Sequence, residues 1–381
     1  MNDRQIDRIV EKVVERLGKD LDSPASTPKA SYVSAPSHQG HAGHGVFETV
    51  DTAMAAAAQG FENLQSVSLE GRKRMVAMMR KRATAAIEDM SRMAVAETGL
   101  GRVTDKLGKN KLAIDKTPGP EILESKAWTG DEGMALLERA PYGIIGSITP
   151  CTNASETIIN NAISMFSAGN VVVFNVHPSA KGVCNYTVNL LNEAIMEAGG
   201  PANTICSIAN PTIASANAVM THPKVKLVAV TGGPAVVKAA MNSGKRAIAA
   251  GPGNPPCVVD ETADMKTAAE GIIAGHAIDN NIVCIAEKEL IVVEDVADML
   301  KRELLSRQVV EIKGRDLQKL EKLLITPDDH VNRNFVGKNP SVILKEIGIN
   351  VSDDIRVALC EVNDENHPFV QHEMLLSLIH I

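Results

Sequence analysis

The feature that most constrains this chain is a regular alternation of apolar segments and helical stretches between residues 143 and 249. Apolar segments typical of buried strands lie at residues 143–148, 169–175, 204–208, 225–231 and 245–249. The stretches between them have helical patterns of about a dozen residues. Strands that alternate with helices in this way form a parallel sheet with helices on both faces. The alternation therefore predicts an α/β fold.

Ligands of such sheets bind at the carboxyl ends of the strands. The polar segments 149–155, 175–181 and 231–234 fall there. A Gly-x-Gly-x-x-Gly dinucleotide motif is absent after the strands. The Thr231-Gly-Gly-Pro turn has two interpretations, which stay open: a helix N-terminus that binds phosphate, or a plain tight strand–helix turn.

The composition narrows the function classes. The 381 residues are enough for two domains, and 44% hydrophobic with 22% charged residues favours a folded chain. A net charge of −7 argues against nucleic-acid and anionic-membrane partners, and no apolar run is long enough to cross a membrane. The six cysteines form no Cys-x-x-Cys pair, so we predict neither a metal site nor a disulfide framework.

The N-terminal residues 1–18 have apolar positions at helical spacing and predict an amphipathic helix. Residues 19–45 are rich in Ser, Pro, Ala, Gly and His and predict a flexible linker. The helix either docks to another protein or packs on its own domain, and the sequence leaves both open. Solvated histidines in the linker are favoured over a metal site.

The remaining segments have simpler patterns. Residues 46–100 are predicted to be helical, and residues 134–148 to form two strands around a Pro-Tyr-Gly turn. After the Gly/Pro-rich loop 250–256, a second unit carries helices at 263–274 and 295–306 and helical stretches to residue 347.

The strongest chemical candidate is Cys284, which follows a polar turn containing Asn280 and Asn281 and precedes a buried strand. A thiol at this place suits a nucleophile, and Asn side chains or turn N–H groups can bind an oxyanion. The alternative is a small core hydrophobe, which is the usual role of a cysteine beside apolar residues.

Taken together, the motifs resemble the aldehyde dehydrogenase superfamily, and within it the coenzyme-A-acylating enzymes of bacterial microcompartments, the ethanolamine- and propanediol-utilisation type. The resemblance covers residues 46–373. Its motifs are Ile148-Thr-Pro-Cys-Thr-Asn, Ala168-Gly-Asn-Val-Val-Val-Phe with His177-Pro, Val230-Thr-Gly-Gly, Ala250-Gly-Pro-Gly-Asn-Pro-Pro and Asn280-Asn-Ile-Val-Cys-Ile-Ala-Glu-Lys.

The resemblance implies a Rossmann-like NAD-binding domain at residues 46–252, with an oligomerisation hairpin at about 126–142, and an α/β catalytic domain at residues 253–381. It implies NAD as cofactor and coenzyme A as co-substrate. It also implies a homo-oligomer, a dimer or tetramer, in the lumen of a cytoplasmic microcompartment. Residues 1–18 resemble that group's encapsulation peptide, which docks to shell protein.

The site residues follow position by position from the same resemblance. Cys284 matches the nucleophile, and Asn153 matches the side-chain amide of the oxyanion site. The cofactor-binding positions are Thr149, Pro150, His177, Pro178, Thr231, Gly232, Gly233, Gly253 and Glu373.

The identity of the acyl acceptor is inferred from Ala250. This residue aligns with the general-base glutamate of the hydrolytic family members. Its sequence neighbours Asp260 and Glu261 fall past the loop. Without a base, water is a poor nucleophile, whereas the thiol of coenzyme A is far closer to ionised at neutral pH. We therefore expect oxidation of acetaldehyde or propionaldehyde to acyl-CoA. The alternatives are a hydrolytic aldehyde dehydrogenase and an inactive fragment that only docks to the shell.

The end of the chain departs from the family pattern. The family continues beyond Glu373, and the proline usually expected after that glutamate is missing here. The resemblance thus predicts a catalytic domain truncated at its C-terminus.

Overall fold

The computed structural model describes residues 45–380, so the predicted helix at 1–18 and nearly all of the linker lie outside the described residues. The strands, in chain order, are β1 (Val46–Phe47), β2 (Lys126–Gly130), β3 (Gly133–Leu137), β4 (Ile144–Ile148), β5 (Val171–Asn175), β6 (Ile205–Ile208), β7 (Val225–Thr231), β8 (Arg246–Ala250), β9 (Pro256–Val259), β10 (Glu289–Val292), β11 (Val309–Ile312), β12 (Val357–Cys360) and β13 (Leu378–His380).

The α-helices, in chain order, are α1 (Val50–Leu64), α2 (Leu69–Ala85), α3 (Ile87–Thr98), α4 (Val103–Lys116), α5 (Ala154–Ser167), α6 (Lys181–Glu197), α7 (Ile213–Thr221), α8 (Pro234–Met241), α9 (Met265–Ala277), α10 (Glu294–Leu305), α11 (Arg315–Leu324), α12 (Pro340–Lys345) and α13 (Pro368–Gln371). Short 3₁₀ turns lie at Pro120–Ile122, Pro178–Ala180 and Ile278–Asn281.

The first sheet is parallel and has the strand order β1-β6-β5-β4-β7-β8. Strands β4 and β5 are buried along their whole length, as runs of branched apolar residues predict for a sheet covered on both faces. The chain builds outward from β4 to β6 and then returns to β7 on the other side of β4. The α/β prediction is confirmed, and the crevice between β4 and β7 is the expected ligand position.

The second sheet has the order β11-β12-β13-β10-β9 and is also parallel. It draws its strands from residues 256–380, whereas the first sheet draws its strands from residues 46–250. Its helices α9 and α10 pack on one side around Ile272, Leu300 and Leu359. The cofactor and catalytic roles of the two regions stay predictions from the sequence.

Residues 126–148 contain the expected hairpin but not the predicted pair of strands around the Pro-Tyr-Gly turn. Strands β2 and β3 form an antiparallel hairpin whose residues are all exposed, at the place predicted for an oligomerisation hairpin. The predicted pair of strands around the Pro-Tyr-Gly turn is wrong as a pair. Strand β3 instead pairs with β2, and β4 enters the first sheet, because the apolar side chains of β4 are buried only there.

Two short strands contradict the helical predictions. Residues 46–47 form β1 rather than the start of a helix, since they extend the first sheet beside β6. Residues 309–312 form β11 within the stretch predicted to be helical, because β12 supplies a parallel partner some 48 residues later. Among the described residues, no helix has the length and apolar character needed to cross a membrane.

Candidate active site

The predicted cofactor residues of the first sheet lie where its strands end. Residues 149–150 follow β4, residues 177–178 follow β5, and residues 231–233 close β7 and lead into α8. Because β5, β4 and β7 are neighbours in the sheet, these three segments share one edge. The structure thus brings together segments that are more than 80 residues apart in the chain.

This edge has free polar groups that fit a nucleotide. Helix α8 begins after Gly233, and no side chain among the described residues caps its first N–H groups. Within residues 45–380, the buried Oγ1 atom of Thr149 has no hydrogen-bond partner. Uncapped N–H groups at a helix N-terminus bind phosphate, and an orphaned buried hydroxyl is satisfied by a ligand oxygen.

A single segment, residues 251–255, crosses from the end of β8 to the start of β9 and passes the predicted nucleophile. A Cβ atom on Gly253 would lie 2.3 Å from the Cys284 carbonyl oxygen, so only glycine allows this approach. The Gly253 N–H donates to Oε1 of Glu373 at 3.0 Å, and the Lys288 N–H donates to the Pro255 carbonyl at 3.0 Å. Gly253, Glu373 and Cys284 therefore meet at one point.

The Cys284 thiol is on a half-buried turn between the 3₁₀ segment Ile278–Asn281 and β10. All six cysteines lie in the described part of the chain and are free thiols. Burial raises the pKa of Cys184, Cys206 and Cys360, which pack in the cores and stay protonated. Those three behave as small hydrophobes, whereas Cys284 has access to solvent.

The backbone before Cys284 is strained. Asp279, Asn280 and Asn281 are three consecutive non-glycine residues with φ of 52°, 54° and 62°. Each left-handed residue costs about 1–2 kcal/mol, and such strain collects at functional sites. All three side chains are buried, so the surrounding contacts must hold this conformation.

The two asparagine side chains are held by different sets of polar groups. The Asn280 amide donates to the Gly337 carbonyl and to Oδ1 of Asn339, both at 2.9 Å. The Asn281 amide donates to the His276 carbonyl at 2.9 Å and to the Glu287 carbonyl at 3.1 Å. These amides were considered as oxyanion donors from the sequence, but their donor groups are used by the fold.

The buried Lys288 ammonium stabilises the turn through hydrogen bonds. Its Nζ donates to Oδ1 of Asn281 at 2.8 Å and to the Val283 carbonyl at 2.9 Å, and the side chain is buried. Burial lowers the pKa of Lys288 to about 8, and the charges of Glu373 and Cys284 partly oppose that shift. A cation is therefore fixed beside the residue that precedes the thiol.

The Asp279 carboxylate joins this turn to the loop of Asn153. Its Oδ2 lies 2.8 Å from Nζ of Lys106 and 2.5 Å from Nζ of Lys109, both on α4. The same Lys106 Nζ donates to the Thr152 carbonyl at 2.6 Å. The loop that carries Asn153 and the turn that carries Cys284 thus share one pair of lysines.

Asn153 itself is the N-cap residue of α5, but its side chain makes no capping bond. In the described part of the chain, its amide nitrogen donates only to Oγ1 of Thr152, at 3.3 Å. The helix is instead begun by the Asn153 carbonyl, which accepts from Thr157 and leaves the amide half-buried and available.

Sequence reasoning missed Lys106, Lys109 and Lys288. A signal for the first two was present: Lys106, Lys109 and Asn110 stand at i, i+3 and i+4 on the buried face of α4. Lysines on a buried face need a partner charge, but Asp279 lies about 170 positions later. The sequence alone did not pair them.

The family model described as the aldehyde dehydrogenase family matches residues 33–319. The acetylating acetaldehyde dehydrogenase EutE of Salmonella typhimurium is 41% identical, and the match covers 100% of this chain and 79% of that protein.

Two solved structures are similar over most of the chain. One is a propionaldehyde dehydrogenase from the fucose-utilisation bacterial microcompartment of Clostridium phytofermentans, with 44% identity, a TM-score of 0.85 and coverage of 88% of this chain and 77% of that one. The other is the Rhodopseudomonas palustris propionaldehyde dehydrogenase with bound CoA and an acylated cysteine, with 44% identity, a TM-score of 0.86 and the same coverage.

Proposed function

The chain belongs to the aldehyde dehydrogenase family, and we propose on that premise that it converts a short-chain aldehyde, NAD⁺ and coenzyme A to acyl-CoA, NADH and a proton. The observation that carries the proposal is the crossing segment 251–255. It follows Ala250, the last residue of β8, and brings Gly253 directly against Cys284.

Cys284 is the nucleophile in this proposal. Its thiolate attacks the aldehyde carbon, and the carbonyl oxygen becomes the oxyanion of a thiohemiacetal. The side-chain amide of Asn153 and the backbone N–H of Cys284 are the donors that stabilise that oxyanion. When bound, NAD⁺ would accept the hydride from the thiohemiacetal carbon, which would leave an acyl thioester on Cys284.

The cofactor is assigned to the shared edge of the first sheet. The turn 231–233 and the N-terminus of α8 suit its pyrophosphate, and residues 177–178 suit its adenosine ribose. Glu373, which the Gly253 N–H now holds, is the partner proposed for the nicotinamide ribose. Burial raises the pKa of Glu373, against the pull of Lys288, so this carboxylate is a weaker acid than an exposed one.

Thiolysis is favoured because Ala250 brings only a methyl group to the position of the hydrolytic base. Asp260 follows β9, at the far end of that strand from Gly253, and it hydrogen-bonds to Thr262. Water bound near the thioester therefore lacks the usual glutamate to activate it. Coenzyme A needs less help, since its thiol is partly ionised at neutral pH.

The test is NADH formation at 340 nm with acetaldehyde, propionaldehyde and butyraldehyde, each with and without CoA. We expect turnover that requires CoA, and intact mass should show an acyl adduct on the protein when CoA is withheld. Equal NADH formation without CoA, together with free carboxylic acid, would establish the hydrolytic reaction instead. No NADH and no adduct with any aldehyde would support the inactive-fragment alternative.

The exposed hairpin β2–β3 supports a homo-oligomer. Trp128, the only tryptophan of the chain, is 56% exposed there, and Met134 is 72% exposed. Such apolar side chains on a protruding hairpin suit a contact with a second copy. Light scattering should report a dimer or tetramer, and Trp128 fluorescence should shift to the red when the assembly is diluted to monomers.

Residues 1–18 are proposed to dock this enzyme to a microcompartment shell protein, as an encapsulation peptide does. Their predicted amphipathic pattern and the microcompartment origin of a similar solved structure support the proposal. Deletion of these residues should abolish co-purification with shell protein and leave CoA-dependent turnover unchanged. A truncated chain that melts several degrees lower would instead indicate a helix that packs on its own domain.

A further inference from the structure

The oxyanion site of the proposed reaction is divided between two parts of the chain. One donor, the amide of Asn153, stands at the end of the first sheet, and the other, the N–H of Cys284, belongs to the turn that leads into the second sheet. A donor is effective only at 2.7–3.1 Å from the developing charge. The contacts that fix one loop against the other therefore decide how well the site works.

Helix α4 supplies such contacts through two lysines, Lys106 and Lys109. Lys106 Nζ lies 2.6 Å from the Thr152 carbonyl and 2.8 Å from Oδ2 of Asp279. Lys109 Nζ lies 2.5 Å from the same carboxylate oxygen and 3.4 Å from the same carbonyl. Thr152 precedes Asn153 directly, and Asp279 begins the strained turn before Cys284.

Burial makes these contacts strong. The side chains of Lys106 and Asp279 are 1% and 0% exposed, and Glu156, on α5, adds a second carboxylate at 3.9 Å from Lys106. Burial alone would lower the pKa of Lys106, but Glu156 and Asp279 outweigh it and hold this pKa above its ordinary value. The Lys106 cation therefore persists through the neutral range.

The turn at Asp279 is built to receive this cation. Its second carboxylate oxygen accepts the Arg102 N–H at 2.9 Å, and a Cβ on Gly101 would lie 1.8 Å from that oxygen. The carboxylate is thus fixed from the start of α4 as well as from its buried face. These contacts offset the left-handed conformation of Asp279.

We propose that Lys106, supported by Lys109, is a positioning residue that holds the Asn153 loop at the correct distance from the Cys284 turn. The inference deepens the proposed function and rests on it. Lys106 does not touch the substrate in this proposal, and it acts on catalysis only through the relative position of the two oxyanion donors.

The test is a double-mutant cycle in kcat for CoA-dependent NADH formation. Asn153→Ala alone should lower kcat by about 10²–10³-fold, the usual effect of one oxyanion donor. Lys106→Met alone should lower kcat by about 10–100-fold, with less than a threefold change in the KM for NAD⁺. In the Asn153→Ala background, Lys106→Met should lower kcat by a further factor of less than about three. The reason is that the oxyanion donor that Lys106 positions has already been removed.

Two variants on the same helix sharpen the result. Lys109→Met should reduce kcat less than Lys106→Met, because Lys109 is farther from the Thr152 carbonyl. Lys111→Met is the matched control, since Lys111 is 68% exposed and its only ion-pair partner within residues 45–380 is Asp115. Its kcat should stay within about twofold of the parent. If Lys106→Met does not fold, Lys106→Gln keeps a donor and replaces it in the cycle.

Losses in kcat that multiply in the double variant would overturn the proposal, since independent sites are additive in free energy. Hydrogen exchange separates this failure from a failure of the proposed function. In Lys106→Met, the segments 149–153 and 279–284 should both exchange faster than in Lys111→Met, whether or not the protein turns over aldehyde. Faster exchange in only one of the two segments would also overturn it.

Discussion

Strand β5 (Val171–Asn175) and the turn Asp279–Asn281 are both fully buried, yet they differ in residue type. Residues Val171–Phe174 are branched or aromatic and Asn175 ends the strand, which has regular backbone and parallel neighbours on both sides. The turn contains a carboxylate and two amides on a left-handed backbone. The strand is stabilised by burial of apolar area, and the turn by specific polar partners.

The two kinds of order suit different roles in the molecule. Apolar burial is nondirectional and tolerates exchange of one hydrophobe for another of similar size. Polar contacts from Lys106, Lys288 and the Gly337 carbonyl fix direction as well as position. A reacting thiol needs the second kind of order, because small displacements of a nucleophile are costly.

The largest expected effect is on the chemistry that the turn presents. Cys284→Ala should lower NADH formation by about 10⁴-fold or more, as removal of a nucleophile does, with NAD⁺ binding nearly intact. Cys206→Ala, in buried strand β6, is the matched control and should keep turnover while losing some stability. Substantial turnover by Cys284→Ala, measured by NADH formation in both variants, would contradict the assignment.

The next largest effect is expected from a substitution in the apolar strand β5. Phe174→Ala in β5 should lower the free energy of unfolding by about 3–5 kcal/mol, because Phe174 is 0% exposed and its removal leaves a cavity. The control Ile248→Ala, on the edge strand β8 and 65% exposed, should change it by less than about 0.5 kcal/mol. Urea denaturation at 25 °C measures both. An equal decrease in the free energy of unfolding of the two variants would show that β5 is not a main part of the hydrophobic core.

A smaller expected effect is a pH dependence of stability that arises near the turn Asp279–Asn281 and not in strand β5. Complete burial lowers the pKa of His276, next to the turn, to about 4 from 6.5. Between those values the unfolded chain binds the proton and the folded chain does not. The free energy of unfolding therefore falls as the pH drops below 6.5, by about 2 kcal/mol at pH 5 from this residue. Strand β5 has no titratable side chain and adds no such dependence.

Urea titrations at pH 7 and pH 5 would measure this term. His276→Asn keeps an N–H that can reach the Glu287 carbonyl, now 2.6 Å from Nδ1, but it removes the titration. Between pH 7 and pH 5, the free energy of unfolding of the variant should fall by about 2 kcal/mol less than that of the parent protein. An identical pH dependence in both proteins would place the acid-sensitive group elsewhere.

The smallest effect concerns the junction of the two regions. Ala250→Glu places a carboxylate on the last residue of β8, just before the segment that passes Cys284. It should raise CoA-independent release of acetate or propionate per NADH and lower the CoA-dependent flux. A well-placed base is worth about 10²–10⁴-fold, but Pro252 and Pro255 restrict this loop, so a small fraction of that gain is expected.

Ala250→Gln is the control for this change, because it has the same size and cannot act as a base. Both variants must still bind NAD⁺ and acquire the acyl adduct by intact mass. A Glu variant that hydrolyses no faster than the Gln variant would show that the missing glutamate does not select thiolysis in this protein.

Much of the fold could be predicted from local patterns. The strands at residues 144–148, 171–175, 205–208, 225–231 and 246–250 and the helices between them lie within a few residues of the expected positions. The reason is that each segment is defined by its own periodicity and by turn residues at its ends. The short strands β1 and β11 were missed, because only a distant partner strand makes them extended.

For the candidate site, local patterns in the sequence predicted the residue types and the sheet edge on which they lie: Cys284 after a polar turn, and the proposed cofactor segments at the strand ends. How these parts meet depends on tertiary contacts. The approach of Gly253 to Cys284, the left-handed turn and the lysines of α4 depend on contacts between residues about 30 to 180 positions apart. Such directional contacts have no periodicity, so local patterns in the chain do not record them.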